Sequence, residues 1–69
     1  MKEHLASMLK SAAEADRQKA LLTLELLSNH AVGIGDHSTG DFYKNAEEAI
    51  TMLVDADDRI AAVEKYLTK

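Results

Sequence analysis

The second half of the chain carries an uninterrupted repeat of apolar residues. These residues are separated alternately by four and three positions: Phe42, Ala46, Ala49, Leu53, Ala56, Ile60, Val63 and Leu67. Such spacing is the heptad pattern of a helix that packs lengthwise against a partner helix. It therefore predicts a helix over about residues 39–68, and the alanines in it predict a close approach to the partner.

The first half has a less regular pattern that also predicts a helix, over about residues 2–30. Its first apolar residues follow helical spacing: Leu5, Met8, Leu9, Ala12 and Ala13. After a mostly polar stretch at residues 14–19, five leucines crowd into seven positions: Leu21, Leu22, Leu24, Leu26 and Leu27. At about 100° per residue these leucines surround most of the helix, and one partner can cover only one stripe of them. We expect them to form an oligomer interface; the alternative is a set of exposed leucines, which are common on protein surfaces.

The glycines mark a single turn between the two predicted helices. All three lie within nine residues: Gly33, Gly35 and Gly40. Glycine permits positive φ and close backbone approach, so the cluster predicts a loop over residues 31–38. We therefore predict one all-α domain, residues 1–69, in which two antiparallel helices form a hairpin that assembles into a helical-bundle homo-oligomer with coiled-coil packing. Folding about this loop places Arg17 beside Asp57, where the two charges can pair.

Composition narrows the function classes. The chain has 69 residues and no cysteine, so disulfides and thiolate metal sites are excluded and self-association is the expected source of extra stability. The formal net charge is −4, with the basic residues scattered, which argues against binding of duplex nucleic acid. The first residues lack the apolar run of a signal peptide, and no stretch approaches the length of a membrane span. We expect a cytoplasmic protein without a membrane partner.

The loop has two features that suit an anionic ligand. Glycines allow successive backbone N–H groups to point into one concavity, and the N-terminus of the second helix adds partial positive charge. Neighbouring hydroxyls, rings and one cation complete the candidate ligand-binding set: Gly33, Gly35, His37, Ser38, Thr39, His30, Tyr43 and Lys44. The loop matches neither a Walker A motif nor a dinucleotide fingerprint. In the simpler interpretation the glycines only close a tight turn and Ser38 caps the second helix.

Other combinations of loop residues do not predict catalysis or a metal site. His30, Asp36 and His37 are metal-ligand types, but they lack a fourth ligand and a recognised spacing. Asp36, His37 and Ser38 are the residue types of a nucleophilic triad, yet that relay joins groups distant in sequence. We therefore expect no catalytic residues, no metal and no cofactor.

The loop sequence VGIGDHS, residues 32–38, precedes an acidic amphipathic helix that contains DADDR, residues 55–59. In these features the chain resembles a group of small uncharacterised helical-hairpin proteins of tailed bacteriophages, over roughly residues 20–67. In architecture alone it is also similar to phage anti-defence sponge proteins, small helical oligomers that sequester cyclic nucleotide immune signals between subunits.

The first resemblance implies a phage protein, located in the host cytoplasm. The features of the loop, together with the second resemblance, lead us to expect a non-enzymatic protein that binds a phosphorylated small ligand, such as a cyclic nucleotide immune signal, at inter-subunit sites near the loop. The alternative from the residues themselves is a protein-interaction module that docks on a host or phage protein through its leucine-rich face.

Overall fold

The computed structural model describes residues 2–30 and 39–68, which form two long helices. Helix α1 spans Lys2–His30 and helix α2 spans Thr39–Tyr66. After α2, the backbone N–H of Leu67 donates to the carbonyl of Val63 at 2.8 Å. The helices pack antiparallel in a rod whose Cα atoms extend over 49 × 14 × 14 Å. The described residues contain no strand, which confirms the all-α, two-helix prediction.

Small side chains fill the interface between α1 and α2. The buried apolar residues are Ala6, Ala13, Ala20, Leu27, Ala49, Ala56 and Val63. Those of each helix lie seven positions apart, so each set forms one line along its helix. We call the five alanines of this group the alanine seam. Ala13 and Ala56 are both 0% exposed, so the two backbones approach where a side chain larger than a methyl group would not fit.

Charged residues alternate with alanines on the α1 side of the interface. Lys10 and Arg17 lie between the buried alanines and are only half-buried. Long basic side chains can lay their methylene stems along apolar surface while the charged head remains in water. The heads of both residues reach acidic partners on α2. The predicted neighbourhood of Arg17 and Asp57 is confirmed, with Nε 3.1 Å from Oδ1.

The residues that predicted α1 are mostly not the residues that pack against α2. Leu5, Met8 and Leu9 are 46%, 52% and 38% exposed, and of that first group only Ala13 is buried. On α2 the heptad repeat does lie at the interface, but its larger members Leu53 and Ile60 are only half-buried. The hairpin thus buries its small apolar residues and exposes many of its large ones.

This arrangement gives the single chain a thin core. Among the described residues no large side chain is fully buried. Hydrophobic stabilisation scales with the apolar area removed from water, at about 25 cal/mol per Å², and a buried alanine contributes only one methyl group. A chain of this size rarely gains more than about 3–5 kcal/mol even from an ordinary core. The hairpin alone therefore has little stability in reserve.

Candidate interaction surface

Half of the predicted ligand-binding residues lie in the segment 31–38, outside the residues that the structure describes. Gly33, Gly35, His37 and Ser38 lie outside the described residues, as do Asp36 and the loop as a whole. His30 is the last residue of α1 and Thr39 is the first of α2, and only their backbones are described. The start of α2 at Thr39 sets a helix N-terminus directly after the predicted loop.

The two remaining members of that set are exposed on the first turns of α2. Tyr43 is 60% exposed, and its ring meets Phe42 edge-to-face with a centroid separation of 5.8 Å. Lys44 lines a shallow surface depression together with Glu47, Glu48 and other charged residues. Carboxylates in the same depression offset the attraction of the Lys44 ammonium for an anion.

Ion pairs join the two helices along one edge of the alanine seam. Lys10 Nζ lies 3.0 Å from Glu64 Oε2, and the Arg17–Asp57 pair follows about two turns away. The hydrogen bond to Glu64 raises the pKa of the Lys10 ammonium above its ordinary 10.5, because the carboxylate favours the charged form. Both pairs are well exposed to solvent, so they contribute more to the register of the helices than to stability.

A branched ion pair holds the opposite edge. Arg59 donates from Nη2 to Asp16 Oδ2 at 2.7 Å across the helices, and from Nε to Asp55 Oδ2 at 2.9 Å along α2. The hydrogen bond to Asp16 raises the pKa of the Arg59 guanidinium further above its ordinary value. Ion pairs between α1 and α2 thus flank the alanine seam on both edges and favour one lengthwise register of the two helices.

A second line of mostly apolar residues runs along α1 outside the alanine seam. Its members again alternate three and four positions apart: Leu5, Met8, Ala12, Ala15, Lys19, Leu22 and Leu26. At 3.6 residues per turn this line lies roughly 140° around the helix from the alanine seam. We call it the outer face of α1. Every member is exposed, and the leucines and methionine are 46–55% exposed.

The corresponding line on α2 has the opposite character. Residues spaced in the same way along α2 are Lys44, Glu48, Thr51, Asp55, Asp58, Ala62 and Lys65. A charged and exposed outer line is what a helix in contact with water requires. The two lines therefore differ, because the line on α1 is mostly apolar and the line on α2 is mostly charged, although Ile50 and Val54 elsewhere on α2 are also 46% and 54% exposed.

The predicted oligomer leucines divide between the hairpin interior and its surface. Leu27 is buried and Leu24 is half-buried, while Leu21, Leu22 and Leu26 are 37%, 55% and 50% exposed. Leu26 also lines a cleft of about 340 Å³ between the helices, beside Ala20, Ala49 and Met52. An apolar surface thus continues from the outer face of α1 into this cleft.

The sequence analysis did not recognise the outer face as one line, because the polar stretch at residues 14–19 separates Leu5 and Met8 from the later leucines. Two residues of that stretch, Ala15 and Lys19, lie on the outer face and connect its two ends. The alternating spacing of three and four would have identified the line from the sequence.

The described residues contain no group of three histidine, cysteine, aspartate or glutamate side chains arranged to hold a metal ion. Within the same residues, neither helix has a stretch long and apolar enough to span a bilayer. Comparison with protein-family models, with curated proteins and with solved structures gives no match to this chain.

Proposed function

We propose that the protein is a non-enzymatic interaction module, a helical hairpin that works by docking the outer face of α1 on another protein chain. The single observation that carries this proposal is the exposure of Leu5, Met8, Leu22 and Leu26 along one line of α1, while the hairpin core consists mainly of alanines. Large contiguous apolar patches on small proteins mark interaction sites.

The distribution of charge supports the same function. The charged residues of the hairpin are concentrated at the ion-paired edges and on the outside of α2, and the outer face of α1 contains one of them, Lys19. Interface centres are depleted of charged residues and surrounded by a polar rim. The outer face and its surroundings fit that description.

The proposal is tested with the purified chain, by light scattering and the fluorescence of an apolar-surface dye. We expect the chain either to form an oligomer or, as a monomer, to bind the dye strongly. Replacing Leu22 and Leu26 by glutamine should then abolish whichever of the two is observed. A stable monomer that binds no dye would contradict the proposal, because its apolar surface would then need no partner.

A second function, binding of a phosphorylated small molecule at the loop, is favoured by one observation. Helix α2 begins at Thr39, so its N-terminal N–H groups and partial positive charge lie next to the glycine-rich segment. The phage resemblance supports this function, and a cyclic nucleotide immune signal remains the leading candidate ligand. The hairpin could present such a site while docking through α1.

Gly35→Ala and Ser38→Ala test the two halves of this ligand site. If the loop binds an anion, both variants should lose affinity for cyclic nucleotides while their oligomeric state is unchanged. If it only turns the chain, Ser38→Ala should lower stability by about 1 kcal/mol through the lost cap and do nothing else. Thermal shift against a panel of nucleotides is the measurement, and the absence of any shift in the wild type would contradict ligand binding.

A further inference from the structure

We infer that the partner of the outer face of α1 is a second copy of this chain, paired antiparallel about a twofold axis near Ala15. This inference rests on the proposed function, since it names the occupant of the same surface. The result is a four-helix assembly in which the two α1 helices lie at the centre and the two α2 helices lie outside.

The first support is the spacing of the outer face. An alternation of three and four positions is the pattern by which one helix packs lengthwise on another helix. The line runs from Leu5 to Leu26, roughly 30 Å along the helix axis, and every member is exposed. A surface of this shape fits a long straight helix of matching length, and α1 itself is such a helix.

The second support is the symmetry of residue sizes along the line. Large side chains stand at both ends and the alanines Ala12 and Ala15 stand near the middle. In a twofold pair each residue contacts a position that in turn contacts it. Antiparallel pairing then sets Leu5 and Met8 against Leu22 and Leu26 of the other copy, and Ala15 near its own copy at the axis. Lys19 lies opposite Ala12, whose methyl group leaves room for the long side chain.

The third support is charge, which selects the antiparallel orientation. In a parallel pair in register, Lys19 on the outer face and Glu25 beside it would each lie opposite their own copies. Like charges placed opposite one another are destabilising. Antiparallel pairing moves Lys19 away from Lys19 of the other copy and Glu25 away from Glu25 of the other copy. It also brings Glu25 toward His4 of the other copy.

Helix α2 takes no part in the proposed interface. Its charged line is not remote from the outer face of α1, since Glu48 and Leu26 line the same cleft. Pairing through α1 covers the apolar residues of the outer face and leaves the charged residues of α2 in water.

Cross-linking through single cysteines tests this geometry without background, because the chain has no cysteine of its own. Ala15→Cys, near the proposed axis, should give mainly cross-linked dimer with a short bismaleimide at micromolar concentration. Ala62→Cys is the matched control, since it makes the same substitution at an exposed alanine on the outside of α2, and it should remain monomeric on a denaturing gel.

The orientation is read from two flanking positions, His4 and Glu25. Each lies roughly 30 Å from its own copy in the antiparallel pair, so His4→Cys alone and Glu25→Cys alone should not cross-link, whereas a mixture of the two should. Cross-linking of either variant with itself would overturn the antiparallel geometry. If Ala62→Cys cross-linked and Ala15→Cys did not, the two copies would meet through α2, and the outer face of α1 would not be the interface.

Sedimentation of the wild-type chain keeps the inference falsifiable if a cysteine variant fails to fold. The expected mass is twice the 7.6 kDa of one chain. A wild-type monomer that binds the apolar dye would overturn the second copy as partner and leave the proposed docking function in place. A monomer that binds no dye would overturn both.

Discussion

Replacing Ala56 by leucine should strongly destabilise the hairpin. Ala56 is 0% exposed at the centre of the alanine seam, where the opposing helix also buries alanines. Added methylene groups in a close-packed interface force the backbones apart, at a typical cost of about 1–3 kcal/mol. In a domain of this size each kcal/mol lowers the midpoint of thermal unfolding by about 4–8 °C.

The matched control is Ala62→Leu, the same change on the exposed side of the same helix. Surface substitutions of this kind usually alter stability by less than about 0.5 kcal/mol. Urea unfolding followed by circular dichroism measures both variants. Equal stability of Ala56→Leu and wild type would mean that the helices do not meet at the alanine seam.

The second large effect is expected from the double substitution of Leu22 and Leu26 by glutamine. In a single hairpin these leucines are 55% and 50% exposed, so the change should have little effect on stability. If a second copy buries them, each truncated contact should cost about 2 kcal/mol or more, as for other leucines removed from interiors. We expect the larger loss, together with a fall in mass from dimer to monomer.

Val54→Gln is the control for this pair. Val54 is 54% exposed on α2, the same degree of exposure as Leu22, but it lies away from the outer face of α1. We expect its unfolding free energy to stay within about 0.5 kcal/mol of wild type. If the Leu22 and Leu26 double substitution lowered the unfolding free energy no more than Val54→Gln does, no second chain would be packed on the outer face of α1.

The architecture could be predicted because both helices carry long apolar repeats without proline, and the only glycine within them, Gly40, lies in the first turn of α2. On α2 the repeat named the correct interface residues, among them Ala49, Ala56 and Val63. The predicted pairing of Arg17 with Asp57 followed from the short connection alone, and the structure places the two side chains 3.1 Å apart.

The α1 side of the interface was predicted only in part, for a physical reason. Hydrophobic periodicity is dominated by large residues, and most of those of α1 are exposed, Leu27 being buried. The rest of its buried line consists of alanines. Lys10 and Arg17 lie between them and look like surface positions in a sequence, although their charged heads only extend past the seam to Glu64 and Asp57. The candidate ligand residues Gly33, Gly35, His37 and Ser38 remain a prediction, because they lie outside the described residues.

We propose that one hairpin has too small a core for a stable fold and gains its stability by pairing with a second copy. The most direct measurement is the midpoint of thermal unfolding of the wild-type chain over an approximately hundredfold range of concentration. Coupled folding and pairing predicts that the midpoint rises with protein concentration, since mass action favours the paired state. A sharp unfolding transition at the same temperature throughout that range would contradict the account.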